Sequence, residues 1–352
     1  MKKLTKILSL LLAAAMILAL AACGSASAPA ASDASQSSQT SDASQASEAA
    51  APKDEKPLTL HVAYQYGLAY APLILVQQNE LIEKAYSEAT GKTVEVFWDQ
   101  MSSGADINVG IASGNLDVGF MGVAPAITGI SKKVGYKIFT NLSGQEHGMM
   151  TNDPELQSLA DLVGSDKQIA LVNIGSIQHI ILGLTLKANG YDAHALDANL
   201  VGMKHPDGKA ALESGSIPCH LTSNPYIYKE RANEALHEIV EVKNAWAPDN
   251  SFIVGVASEA LNAEHPELYA ALCQALAEAI DMVNADFEAT AKITCEYNGN
   301  TFEDELFYLK AGSYGAETKG LLDLARFMYE NNFVEVSFES YRDLVFDNVK
   351  GT

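Results

Sequence analysis

The sequence predicts an α/β fold of two similar lobes followed by a helical C-terminal region. Three observations carry this. Short apolar segments of strand period alternate with helical segments from residue 57 to about residue 257. The alternation restarts near residue 148, so 57–145 and 148–250 read as two units of one kind. From residue 264 the pattern is almost all helical, as of helices packed on a lobe already built.

The elements follow in order. Residues 58–64, LTLHVAY, alternate and read as a strand. A loop with Gly67 leads into a helix over 71–84, where Pro72 occupies a tolerated first-turn position. Gly91 breaks the chain, and 93–98, TVEVFW, is a second strand. A Ser102-Ser103-Gly104 loop opens a short helix over 106–112, and a strand over 116–121 follows the turn at 113–115. A helix begins at 125–131 and a strand spans 136–141. In the second unit, 156–162 is helical, 168–172 a strand, and Asn173-Ile174-Gly175-Ser176 a turn opening a helix to about Asn189. Strands at 199–203, 217–221, 237–242 and 252–257 alternate with helices at 207–213 and 225–235. Helices at 264–286, 287–297, 302–311, 317–330 and 338–347 close the chain. Such alternation predicts mainly parallel sheets.

The N-terminus predicts secretion and a lipid anchor. Lys2, Lys3 and Lys6 precede the apolar run ILSLLLAAAMILALAA at 7–22, which has signal-peptide length and is short for a permanent span of about 20 residues. Leu20-Ala21-Ala22-Cys23 resembles a bacterial lipobox, which implies a thioether-linked lipid on Cys23 and removal of residues 1–22. An ordinary signal peptide with a chance cysteine is the alternative. Of the 29 residues from Gly24 to Pro52, 19 are Ser or Ala and none is aromatic, Leu, Ile or Val. Such a stretch cannot bury enough surface to offset its ordering entropy and reads as a flexible tether over 23–56. A coil of this length spans on the order of 30 Å.

The 352-residue chain is 48% hydrophobic, enough for a substantial core. Its formal charge is -21, and loss of three lysines with residues 1–22 makes that -24. Duplex nucleic acid is repelled by such a field, so no nucleic-acid partner is expected. Beyond Cys23 there are Cys219, Cys273 and Cys295, without CxxC or zinc-ribbon spacing; three buried thiols acting as small hydrophobes are the preferred reading, with one disulfide and a free thiol the alternative.

The run GLAYAPLILVQQNELIEKAYSEATGKTVEVFW (67–98), then SSGADINVGIASGNLDVGFMGVAPAI (102–127), resembles the extracellular solute-binding proteins of ABC importers, in their nitrate/sulfonate/taurine branch. Leu159-Ala160-Asp161-Leu162 before QIALVNIGS, and ALESGSIPCHLTSNPYIYKE (211–230), fit the same branch. The resemblance covers roughly 57–260 and implies two lobes of the type II periplasmic-binding-protein kind joined by two crossing strands. Lobe 1 would be 57–145 plus 253–352 and lobe 2 146–252, with crossings near 144–151 and 247–253. It also implies a small solute held in the cleft, delivery to a permease in the cytoplasmic membrane, and an extracytoplasmic, lipid-anchored monomer. The solute would be a sulfonate, nitrate or taurine-like anion, or a small heterocyclic vitamin precursor.

In open α/β sheets ligands sit beyond the carboxyl ends of strands, where helix N-termini present unpaired amides. Four loops and one matching patch qualify: Tyr66, Trp98 with Ser102 and Ser103, Gly122, Gly175 with Ser176, and His220 with Thr222 and Asn224. Each has a plainer reading. Ser176 and Asn224 are ordinary N-caps, Tyr66 and Trp98 lobe packing, Ser102 and Ser103 loop residues, and His220 a satisfied buried histidine. None of the three arginines (Arg231, Arg326, Arg342) lies in these loops, so a bidentate clamp on an anion is not evident. No GxSxG, HExxH, Walker, GxGxxG or EF-hand motif occurs, so no enzyme, cofactor or metal site is expected. Glu146-His147 reads as a solvated pair. The alternatives are an enzyme of pyrimidine-precursor type on the same fold, using His220 or Cys219, and a ligand-sensing surface lipoprotein.

Overall fold

The structure, a computed structural model, describes residues 57–352. The signal peptide, Cys23 and the tether expected over 23–56 lie outside the described residues. Eleven strands form two sheets among the described residues. The first has the order β11-β4-β10-β3-β1-β2, made of β1 (Leu58–Tyr64), β2 (Val94–Gln100), β3 (Val118–Gly122), β4 (Tyr136–Gly144), β10 (Ile253–Ser258) and β11 (Ser313–Tyr314). The second has the order β7-β6-β8-β5-β9, made of β5 (His147–Thr151), β6 (Ile169–Leu171), β7 (Leu200–Gly202), β8 (Cys219–Ser223) and β9 (His237–Ile239). Two mixed sheets, each flanked by helices, thus form an α/β fold.

The parallel expectation needs a correction. β1 pairs in parallel with β2 and β3, and β6 with β7 and β8. Every pairing of β10 and of β5 is antiparallel. Each of these strands enters its sheet directly from the other one, so it arrives from the opposite end to strands fed by a local helix. The expected hinge at 144–151 is also shorter. The chain leaves the first sheet at Gly144, and His147–Thr151 is already a strand buried along its whole length.

The core follows from the apolar runs. Leu60, Val62, Val118, Phe120, Ile138, Val254 and Val256 are fully buried in the first sheet. Val118–Gly122 is buried at every position, so both faces are covered and the strand shows no polar alternation. The expected 71–84 helix is two helices, Ala71–Gln78 and Leu81–Thr90, because Glu80 between them adopts φ 50, outside the helical region. The C-terminal helices include Pro266–Ala285, which packs on both of these. Its Leu268, Leu272, Ala275, Leu276, Ala279 and Val283 recur at helical spacing and are buried. Residues 338–347, expected to be a helix, hold only a turn of 3-10 helix at Tyr341–Asp343 with a Ser340–Asp343 capping box. The second sheet has its own smaller core around Met149, Leu171, Leu182, Leu186 and Leu221.

The two crossings hold each other. Phe252 N donates to Ser143 O at 2.9 Å and Asn244 N to His147 O at 3.2 Å. His147 is fully buried, its ring Nε2 accepts from Trp246 N at 3.3 Å, and burial pushes its imidazole down to about 4. Glu146 pairs with Arg231 at 2.9 Å, and Arg231 also with Glu238 at 2.6 Å. The solvated Glu-His pair is therefore corrected: one residue is a neutral core histidine at the crossing, the other half of an ion-pair network.

Candidate functional site in the cleft between the sheets

Six parallel strands end at one cleft. β1 is followed by Gln65 and Tyr66, β2 by Ser102, β3 ends on Gly122, β6 is followed by Val172 and Asn173, β7 by Lys204, and β8 ends on Ser223 before Asn224; all line the cleft. Tyr70, Pro125, Ser176, Ile177, Gln178, His205, Phe252 and Ile253 complete most of the wall. The walls stand close together: the space that water-sized molecules can occupy between them is about 30 Å³. That is room for about one or two waters, so a solute is admitted only when the walls part.

Four helices begin at this wall. They are Gly104–Ala112, Val123–Ser131, Ile177–Ala188 and His205–Glu213, preceded by Ser103, Gly122, Ser176 and Lys204. Each N-terminus carries a partial positive charge, offset in two of them by Asp106 and Asp207 in the first turn, and the amides of Asp106, Val123 and His179 are already bonded. Lys204 adds a full one, with Nζ 5.7 Å from the Tyr66 ring centroid and 3.8 Å from the exposed Asp207 carboxylate. Among the described residues no Asp or Glu lines the cleft. The local field is thus positive within a strongly acidic chain.

Beneath Lys204 runs a neutral polar floor. Gln178 Nε2 donates to His205 Nε2 at 3.1 Å, which leaves the ring proton on Nδ1 for Thr222 Oγ1 at 2.9 Å. Burial pushes His205 down to about 3, with His220 adding to the effect, so the ring is uncharged. Asn224 follows β8 and is 2% exposed. Its Nδ2 donates to Gln145 Oε1 at 3.0 Å and Tyr308 O at 2.8 Å, while its Oδ1 has no partner. The bond to Gln145 ties the cleft to the first crossing.

Of the ten sequence-predicted contacts, the structure brings five to this wall: Tyr66, Ser102, Gly122, Ser176 and Asn224. The other five lie off this wall. Trp98 packs edge-on against Tyr64 at 6.2 Å, away from the cleft, because the two residues sit on one face of adjacent strands. Ser103 turns inward as an N-cap, its Oγ accepting from Asp106 N at 3.2 Å and donating to Asp106 Oδ2 at 2.8 Å. Gly175, with φ 86, supplies the left-handed turn before the helix and lines a neighbouring groove. His220 is 0% exposed and bonds Glu230 through Nδ1 at 2.6 Å. Thr222 is equally buried and reaches the cleft only through His205. Ser176 lines the wall while capping its helix at His179 N, so both readings of it hold.

Sequence reasoning missed Lys204, His205 and Gln178. A lysine just before a helix start with Pro at its second position was the available signal for the first. The other two face the cleft only because of how their helices are rotated. The three cysteines are free thiols; Cys219 is buried, which pushes its thiol up to about 11, and Cys273 and Cys295 are half-buried. His179, His194 and Asp197 also come together, their donor atoms within 4.8 Å of one another. Gly175 N donates to His179 Nδ1 at 3.0 Å, so His179 Nε2 carries the proton. That nitrogen faces Asp197 as a donor, a pattern made for sharing protons rather than ligating a metal.

The two sheets and the cleft define a mixed α/β fold in which the strand ends of both sheets face one another. A family model described as the NMT1-like family matches residues 53–297, and the chain belongs to that family. Among solved structures it is similar to the alkanesulfonate-binding protein SsuA from Xanthomonas axonopodis pv. citri bound to MOPS (16% identity, 85% of this chain and 100% of that one, TM-score 0.65). It is also similar to the periplasmic aliphatic sulphonate binding protein SsuA from Escherichia coli (16% identity, 84% and 94%, TM-score 0.62). A third is the periplasmic nitrate-binding protein NrtA from Synechocystis PCC 6803 (14% identity, 84% and 86%, TM-score 0.65). At these identities the likeness is one of fold. No curated protein matches the sequence. Among the described residues no helix is long and apolar enough to cross a membrane.

Proposed function

We propose that the chain is the solute-binding subunit of an ABC importer. It captures a small solute between two lobes, 57–145 plus 253–352 and 146–252, and presents the closed pair to a permease outside the cytoplasmic membrane. The observation that carries this is the charge of the cleft: one lysine and four helix N-termini converge on it with no carboxylate. The solute that fits is a small organic molecule with an anionic head, such as a sulfonate or carboxylate. Its head lies between Lys204 and the start of the Ile177–Ala188 helix, and its body against Tyr66 and Tyr70. Asn224 and the Gln178–His205 pair fix its orientation. The reading also includes cleavage before Cys23 and a lipid on its sulfur, which tethers a monomer to the membrane surface.

The binding reading is favoured over an enzyme by where the reactive groups sit. His220 and Cys219 are both fully buried outside the cleft, and both His205 nitrogens are already engaged. Isothermal titration of the full chain against nitrate, aliphatic sulfonates, taurine, small carboxylates and pyrimidines tests the proposal. Saturable one-to-one binding of one anionic class supports it. Binding by none of them, or turnover of a bound compound, overturns it. Replacement Cys23→Ser is expected to move the expressed protein from the membrane fraction to the soluble one.

A further inference from the structure

Away from the cleft, the second sheet's side grips the C-terminal region through a line of hydrogen bonds. It starts at the cleft loop, where Gly175 N donates to His179 Nδ1 at 3.0 Å. His179 Nε2 then meets Asp197 Oδ1 at 2.9 Å, and His194 Nδ1 meets Asp197 Oδ2 at 2.8 Å. His194 Nε2 finally meets the carbonyl of Asn331 at 2.6 Å, just beyond the Leu321–Glu330 helix. Phe333 stands against both rings, its centroid 4.3 Å from His194 and 5.2 Å from His179. It also covers Gly183, where an added methyl group would lie 2.9 Å from its ring. The Leu321–Glu330 helix itself packs on Val123–Ser131, beside the first sheet. The line therefore joins the two halves of the cleft.

The partners of His194 decide its charge. A carboxylate oxygen and a backbone carbonyl both accept and neither can donate. A neutral imidazole has one N–H, so it satisfies one and turns a lone pair on the other. Only the imidazolium satisfies both. We propose that protonated His194 is a clasp between the lobes, so that closure tightens in mild acid and loosens as the ring loses its proton.

The titratable groups facing His194 are Asp192 and Asp197 on its own loop and His179 on the Ile177–Ala188 helix. The third element, Asn331-Asn332-Phe333, carries no charge. Burial works against the charged ring, but the bonds to Asn331 O and Asp197 and the field of both aspartates outweigh it, and His194 is raised above its ordinary value. His179, which is more deeply buried, is lowered and stays neutral. The sign follows. The contact is fully present below the ordinary histidine value of about 6.5 and is lost as pH rises through the raised value.

The test needs no solute, so it stands apart from the reading of the cleft. In the full chain, the 13C-labelled ring of His194 is titrated by NMR. In parallel, amide exchange of 190–199 and 331–334 is followed from about pH 5.5 to 9 and corrected for its intrinsic pH dependence. The expected result is a His194 titration above the ordinary value and a coincident rise of exchange in both segments, by about five- to tenfold. Asp197→Asn is expected to lower that titration and move the exchange step to lower pH with it. His194→Gln is expected to abolish the step and hold exchange at the alkaline level throughout. Titration of His194 at or below the ordinary value overturns the proposal. So does a pH-dependent step that survives in His194→Gln, or exchange in the two segments that ignores pH.

Discussion

Gly122, the last residue of β3, meets Ile177, the first helical residue after the cleft loop of the other sheet. A methyl group on Gly122 would stand 3.0 Å from Ile177 Cγ2 and 3.2 Å from its Cβ. The absent side chain is what lets the halves approach there. Ile177 is β-branched and cannot swing clear at low cost. Gly122→Ala is therefore expected to hold the cleft ajar. Affinity for the bound anion should fall about three- to tenfold with the melting temperature nearly unchanged. Titration calorimetry beside a thermal melt separates the two effects, and unchanged affinity would place the closing surface elsewhere.

Among the described residues Lys204 is the one full positive charge on the cleft wall. Charge-assisted bonds contribute about 1.5–3 kcal/mol each. Lys204→Gln should therefore weaken an anionic solute roughly ten- to a hundredfold. A neutral solute would lose little, so the same measurement distinguishes the two solute classes. Removal of Asp207, which is exposed beside Lys204, should strengthen anion binding modestly at low salt.

Glu230 and His220 form a fully buried pair, His220 Nδ1 lying 2.6 Å from Glu230 Oε1. Burial raises the Glu230 carboxyl and lowers the His220 ring. The unfolded carboxyl ionises near pH 4.3, whereas the folded one holds its proton far higher. Stability from this group is thus intact in acid and lost progressively as pH rises toward the raised value. Glu230→Gln keeps a donor for His220 and removes the titration. Its melting temperature should gain on the parent's as pH goes from about 5 to 9. Parallel curves across that range would show that the pair is charged in the native state.

Gly144 sits where the chain leaves the first sheet. A methyl group there would lie 2.2 Å from Pro248 O and 2.6 Å from Ser313 Oγ, and the first of these is backbone of the return crossing. Gly144→Ala must push the crossings apart, at an expected cost of about 1–3 kcal/mol by urea denaturation. A neutral effect would mean the crossings move freely past each other.

Much of the fold was legible because its signals are local. Alternating LTLHVAY and the continuous run VGFMG gave β1 and β3, and the restart after 148 gave the second unit. The short β5 was hidden because HGMMT alternates nothing; it is buried on both faces and reads like a hinge. Five cleft residues were legible from their place after strands. His220 and Thr222 lie off the wall because their strand is buried along its whole length, where sequence does not tell which polar group is satisfied beneath the surface. Lys204 and His205 were missed although the strand at 199–203 was legible, because the helix after it starts at His205 and not at 207, which brings both residues to the strand's end.

The central claim is that the cleft holds a small anion, and native mass spectrometry of the gently purified full chain tests it most directly. The account expects one small acidic molecule per chain in the parent and its loss in Lys204→Gln. A parent chain that carries nothing and gains no mass from any small anion offered, or that keeps its cargo without Lys204, would contradict it.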